Sequence, residues 1–281
     1  MTTRAEALEI LTRAGTQPDD ALDVGGTALA LGLLDQPGAD LPAYRAHLAM
    51  LARDMADRHA AAIDTGTDGL NSRIATLRAV LAGRHGYAGD HDTYDDLQNA
   101  NLLRVIDRRR GLPVALGILY LHAARAMGWD MAGLNFPGHF LLRLDHEGQR
   151  AIIDPFNGGA TRTAADLREL LKATGGAGAE LRPEHYAAVG ARDVLLRLQN
   201  NLKLRHLSAG DVPRALDTLA GMVLFAPDEA GLWRETGLLE AHAGHNAEAI
   251  AALERFIDLS DSPPQKHQAA LLIQQLRQHP H

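Results

Sequence analysis

The chain has 281 residues, 46% of them apolar and only 4% aromatic, with a formal charge of −7 and a pI near 6.0. That is ample material for one large or two modest cores, and the acidic balance argues against a general electrostatic grip on nucleic acid. Cysteine is absent, as a reducing compartment permits; the opening MTTRAEALEI lacks a signal-peptide core and no run reaches the ~18 to 20 apolar residues of a membrane span, so a cytoplasmic location without membrane contact is expected.

Residues 1 to 84 read as helices. Asp19 to Leu34 carries an apolar series interrupted by Gly25 and Gly26, which predicts a break or a tight helix contact. Pro42 opens a second helix, whose Leu41, Tyr44, Leu48, Leu51 and Met55 recur at three and four and mark a core-facing stripe. Leu70, Ile74, Leu77 and Leu81 repeat the pattern in a third, stopped by Gly83. His47 and His59 on these elements are expected at the surface.

The segment RHGYAGDHDTYDD follows. Its His85, Asp90, His91, Asp92, Asp95 and Asp96 are of the right types to ligate a divalent ion, but their spacing fits no zinc or calcium signature. A solvated turn is the expectation, and no metal or other cofactor is assigned. Asn99 and Asn101 precede a helix through Ile106, where Asn caps or braces a loop. Arg104, Arg108, Arg109 and Arg110 form the one dense basic run, read as complementing a helix C-terminus, with an acidic ligand the alternative.

Arg108 to Asp154 is the candidate centre. Pro113 suits the first turn of a helix, where its missing N–H is no loss. Val114 to Met127 is then almost wholly apolar, as in a central helix, and Gly128 is a natural C-cap. Phe140 to Leu144 and Arg150 to Ile153 are β-rich runs around the polar group Asp145 to Gly148, which predicts a hairpin. With the loop centred between His146 and Glu147, facing residue numbers sum to 293 and His139 lies opposite Asp154. Opposed Cβ atoms sit roughly 4.5 to 5.5 Å apart, close enough for an imidazole–carboxylate bond. Such a bond fixes the tautomer and raises the basicity of the ring, which is the orienting half of a nucleophile, base and orienter triad. Asn99, Asn101, Arg109 and Asn157 flank this centre and are its binding candidates.

Beyond Asp154, PFNGG turns the chain, Thr163 and Asp166 begin a capped helix to Lys172, and TGGAGAE marks a boundary. Two domains are expected, over 1–175 and 182–281. The second carries an internal repeat: at an offset of 34, Leu204 matches Leu238, Gly210 Gly244, Ala215 Ala249, Leu216 Ile250, Leu219 Leu253 and Val223 Ile257. That period is the signature of tetratricopeptide helix pairs, with Gln265 to Gln278 as a capping helix.

A glycine, one residue, then the opening of a buried helix, followed by His and by Asp on successive strands, resembles the transglutaminase-like superfamily of papain-type cysteine enzymes. Gly111 matches its glycine, His139 and Asp154 match its dyad, and Pro113 stands where those enzymes carry the nucleophilic cysteine. More narrowly, the run from GYAGDHD to AARAMGW, with PGHFLLRL, IDPFNGG and a repeat region after it, is similar to the bacterial SirB family, transglutaminase-like proteins with tetratricopeptide repeats described as regulators of sirC expression. The resemblance implies an α+β fold, a mostly helical papain-type domain with a small antiparallel sheet followed by helical repeats. It implies no acyl transfer, since the atom that forms the acyl-enzyme is missing. The expected function is a regulatory or protein-binding module acting through cleft and repeats, with a protein or peptide partner and no nucleic acid. The alternative is a hydrolase of amide or peptide bonds in which His139 and Asp154 activate water directly or with a metal.

Overall fold

The computed structural model describes residues 4–63, 69–176 and 178–278. It divides into two compact units, Met1–Ala7 with Pro18–Leu198 and Leu8–Gln17 with Gln199–His281. Among the described residues no helix is long and apolar enough to cross a membrane.

The first unit begins with helices whose burial follows the sequence spacing. From Leu8 on, α1 (Arg4–Gly15) belongs to the second unit; in the first, Asp19–Ala21 is only a 3-10 turn, and α2 (Val24–Asp35) starts later than expected because the Asp23 carboxylate caps it, accepting the Gly26 N–H at 3.1 Å. Gly25 allows a close helix contact rather than a break: a Cβ there would lie 3.0 Å from the His122 ring and 3.1 Å from Leu48. In α3 (Leu41–Ile63), Leu41, Leu48, Leu51 and Met55 are buried, and Tyr44 lies at the edge of the stripe, donating its hydroxyl to Asp107. His59, expected at the surface, is buried edge-on against Trp129, with ring centroids 4.9 Å apart. It sits one turn beyond Met55 and therefore on the same face.

The third helix changes type before it stops. It is α-helical as α4 (Leu70–Leu77), then π-helical over Arg78–Arg84, where the His85 N–H reaches the Val80 carbonyl at 3.0 Å. The wider turn brings Arg84 and His85 onto the buried Asp54, at 3.0 and 2.7 Å. Next come β1 (Ala88–Gly89), α5 (Leu102–Arg108), β2 (Arg110–Gly111) and the central α6 (Pro113–Ala126), with ten of its fourteen residues buried. β1 and β2 pair in parallel, so the loop after the π-turn is fastened immediately before Pro113. The helix ends as predicted, with Met127 as cap and Gly128 at φ +66°.

A five-stranded antiparallel sheet covers α6. It comprises β3 (Asp130–Leu134), β4 (Leu142–His146), β5 (Gln149–Asp154), β6 (Ala160–Arg162) and β7 (Ala188–Val189), in the order β6-β5-β4-β3-β7. The hairpin register differs from the expected one. His146 pairs with Gln149 and Leu142 with Ile153, so facing numbers sum to 295, and His139 lies in the bend before β4 rather than on a strand. Asp145 and His146 extend the strand, and the loop is the two residues Glu147 and Gly148, both at positive φ (49° and 75°); two-residue turns of that kind match the twist of the flanking strands. A slip of two residues keeps every strand side chain on its face, and His139 meets Asp154 from the bend, with Nε2 3.1 Å from Oδ1. α7 (Ala164–Gly175), opened by the Thr163–Asp166 capping box, closes a core with Leu134, Phe136, Leu141, Ile152, Leu167 and Leu171.

α8 (Ala191–Ser208) carries the chain into the second unit, which also holds α9 (Val212–Phe225), α10 (Ala230–Ala243), α11 (Asn246–Leu259) and α12 (Pro263–Gln278). The repeat-related pairs Ala215 and Ala249, and Leu219 and Leu253, are buried. Gly237 admits Leu253 so closely that a Cβ would stand 2.6 Å from its Cγ. By contrast Leu204 and Leu238, also repeat-related, remain 58% and 43% exposed.

Candidate functional site

Asp154 is the anchor of the site. It ends β5 with no exposed surface, and each carboxylate oxygen is bonded. Oδ1 lies 3.1 Å from His139 Nε2 and accepts the backbone N–H groups of Phe156 (3.1 Å) and Asn157 (3.3 Å). Oδ2 accepts Asn157 Nδ2 (2.8 Å) and both Nε and Nη2 of Arg162 (3.0 and 2.7 Å). Burial pushes the carboxyl up, but His139, Asn157 and Arg162 together outweigh it and bring the pKa down to about 2. Asp154 therefore remains an anion whose acceptor sites are occupied; its chemical use is to orient.

His139 is what it orients. The side chain is 15% exposed, and Nε2 is committed to Asp154; with Nε2 carrying the proton, Nδ1 is the acceptor nitrogen, which has no protein partner among the described residues. The backbone is held from the other side. Arg197 Nη2 on α8 donates to the carbonyls of His139 (2.8 Å) and Phe136 (3.1 Å), and its guanidinium lies 5.4 Å above the Phe140 ring. Phe140 seats on α6 at Gly117, where a Cβ would come within 2.3 Å of the ring. Gly117 is one turn in from Pro113, so the residue after His139 packs on the first turns of the site helix.

Pro113 is buried at the first position of α6 and Leu112 provides no side-chain cap. Phe156 forms an aromatic wall, with centroids 6.2 Å from His139, 4.5 Å from His91 and 5.8 Å from the exposed Tyr94.

The flanking candidates divide by position. Asn157 joins the site through Asp154. Asn99 is fully buried: its Nδ2 donates to the Thr93 carbonyl (2.6 Å), its Oδ1 accepts Arg108 (2.9 Å), and its own carbonyl accepts the Leu112 N–H (2.9 Å). Asn101 caps α5, accepting the Leu103 N–H at 3.0 Å, and ties it to the Gly32 carbonyl. Both thus brace the approach to α6. Arg109, at φ +58°, lies over the Tyr87 ring and donates to His47 Nε2 (2.8 Å) and to the Tyr87 hydroxyl. The acidic loop is likewise committed in parts. His85 pairs with Asp54, while Asp90 accepts the Thr93 amide (2.9 Å) and hydroxyl (2.8 Å) and Arg108 (2.8 Å), contacts that hold its carboxyl well below the usual range. Among the described residues no group of three His, Cys, Asp or Glu is placed to hold a metal ion.

Sequence reasoning missed Arg162, Arg197 and Phe156. Arg162 lies on a three-residue strand too short to show alternation, and Arg197 reaches His139 from 58 residues away.

Residues 42–200 match the Transglutaminase-like superfamily, and residues 202–277 match the Tetratricopeptide repeat. The chain is similar to a UPF0162 protein of Xylella fastidiosa (strain Temecula1), with 31% identity over 195 residues covering 68% of this chain and 69% of that one. A UPF0162 protein of Vibrio cholerae is 29% identical over 246 residues, covering 87% and 89%. F-box only protein 21 of Pongo abelii is 28% identical over 217 residues, covering 73% of this chain and 34% of that one.

Proposed function

The chain belongs to the transglutaminase-like superfamily, with a tetratricopeptide-repeat region after that domain, and from that premise we propose a non-catalytic member of SirB type, a cytoplasmic regulatory or protein-binding module that holds a protein or peptide through its cleft and its repeats. One observation supports the reading: Pro113 is buried at the first turn of α6, the position to which the resemblance assigns the cysteine of the superfamily's enzymes. A pyrrolidine ring has no nucleophilic atom. Asp154 supports the same view, because its bonding to Arg162, Asn157 and two amides serves the architecture as much as the imidazole. Leu204 and Leu238, exposed at equivalent repeat positions, suit an apolar contact with a polypeptide.

The Nδ1 of His139, with no protein partner among the described residues, favours a second reading, in which the ring activates water for amide hydrolysis. Incubation with amide, ester and thioester substrates separates the two. Wild type and His139→Ala are expected to be indistinguishable, and turnover that depends on His139 would overturn the non-catalytic reading. For the binding role, partner capture by the full chain should be lost in Leu204→Glu/Leu238→Glu; capture that survives this change would place the interaction away from these leucines.

A further inference from the structure

The opposite end of α6 from Pro113 holds a second feature, an open sheet edge beside a cavity. β4 pairs β3 from Asp130 to Gly133, while β7 pairs only Gly133 and Leu134 on the other side. In an antiparallel ladder each residue sends both backbone groups to one neighbour, and successive residues alternate. The Leu134 N–H goes to Leu141 on the β4 side and the Asn135 N–H to Ala187 on the β7 side. Met131 therefore turns its N–H and C=O toward the β7 side.

The next rung there would be Ala191. That residue already opens α8, and its N–H is taken by the Asp19 carboxylate at 2.8 Å. Gly190 makes the turn possible, since a Cβ would stand 1.9 Å from Asp19 Oδ2. The ladder thus ends one rung short, and Met131 lines a cavity of about 430 Å³ together with Leu121, Trp129, Val189 and Val194. This volume is within the range of ligand sites, at its smaller end.

The charges around the cavity select among occupants. Asp19, Asp20, Asp130 and Arg125 line it; Asp19 is paired with Arg192 at 3.4 Å, the Arg125 N–H groups are donated to the Leu22 and Asp20 carbonyls at 2.5 and 3.0 Å, and Asp20 and Asp130 carry the negative charge toward an occupant. A carboxylate on an open edge repels a second copy of the same edge, whereas a cationic side chain is attracted. We propose that this edge is a strand-addition site for an extended basic peptide segment, which pairs with the Met131 backbone and places Lys or Arg beside Asp20 and Asp130. Main-chain bonds supply affinity in such a mode, and side-chain pockets and charges supply choice. The site is separate from the cleft around His139, so it stands or falls independently of the reading given there.

The test uses the full chain labelled with ¹⁵N-methionine, which reports at most six amide signals; Met131→Leu assigns the relevant one. The probes are the capped hexapeptide Lys-Val-Lys-Val-Lys-Val and its Glu-Val counterpart. The basic peptide is expected to shift the Met131 amide and slow its hydrogen exchange at least tenfold, and to bind at least tenfold tighter than the acidic one. Asp20→Lys/Asp130→Lys should lower that affinity at least tenfold while the unfolding midpoint is unchanged. Should the double variant lose stability, Asp20→Lys alone, at an exposed position, is expected to weaken binding at least threefold. A Met131 signal that neither peptide moves, equal affinity for both peptides, or an affinity indifferent to the charge reversals would each overturn the proposal.

Discussion

Replacing Asp154 by Asn changes one atom type at the centre of the site. The carboxyl titrates at about 2 against an ordinary 3.8; at about 1.4 kcal/mol per pH unit, that difference is worth about 2 kcal/mol of folding free energy. The amide also turns an N–H₂ toward donors, on Arg162 and Asn157 at one side or on His139 and two backbone amides at the other. A loss of about 2 to 4 kcal/mol at neutral pH is expected. The folded pKa lies below the unfolded one, so this stabilisation is complete above about pH 4 and is lost as the pH falls through 2; the gap between parent and variant narrows by about 1 kcal/mol at pH 3. A chain of two units does not unfold as one. In a Trp233→Phe background the buried Trp129 reports the first unit by fluorescence during urea unfolding. A variant within about 0.5 kcal/mol of its parent at pH 7, well below the usual cost of a broken buried pair, or a gap that fails to narrow at pH 3, would refute the reasoning.

Tyr120 is buried on α6 and its hydroxyl has no protein partner among the described residues. Tyr120→Phe should be neutral or stabilise by up to about 1 kcal/mol in thermal unfolding, since an unmade buried hydrogen bond is a cost; destabilisation beyond 1 kcal/mol would point to a bond not seen here. Burial, with Arg109 and then His85, holds the His47 imidazole down to about 4. NMR titration should find one imidazole near that value. Its neutral form accepts the Arg109 N–H, so this contribution to stability is present above the unfolded pKa of about 6.5 and lost as the pH falls through 4. His47→Asn should flatten that part of the acid slope, and an unchanged slope would contradict the assignment.

The sequence was most legible where periodicity and special residues coincide. The apolar stripe from Leu41 to Met55 is buried at each aliphatic position, Pro113 and Gly128 bound α6, Thr163 and Asp166 form a capping box, and the 34-residue offset marks equivalent buried positions. The hairpin was legible but its register lies two residues from the expected one, because the loop length depended on Glu147 accepting a positive φ; the His139–Asp154 bond is made from the bend before β4, which strand alternation does not describe. Local rules carry no information about a partner such as Arg197. The π-turn at Arg78–Arg84 and the burial of His59 depend on what tertiary packing demands of an ordinary helical pattern.

The central claim, that Pro113 fills the nucleophile position of a retained His–Asp dyad, is tested most directly by the thiol of Pro113→Cys. The chain has no other cysteine, so alkylation by iodoacetamide reads that one atom. At pH 6 the reaction is expected to be at least tenfold faster, as for an imidazole-activated thiolate with a lowered pKa, than in Pro113→Cys/His139→Ala of equal stability. Equal rates in the two variants would show that the imidazole does not serve position 113 and would contradict the account.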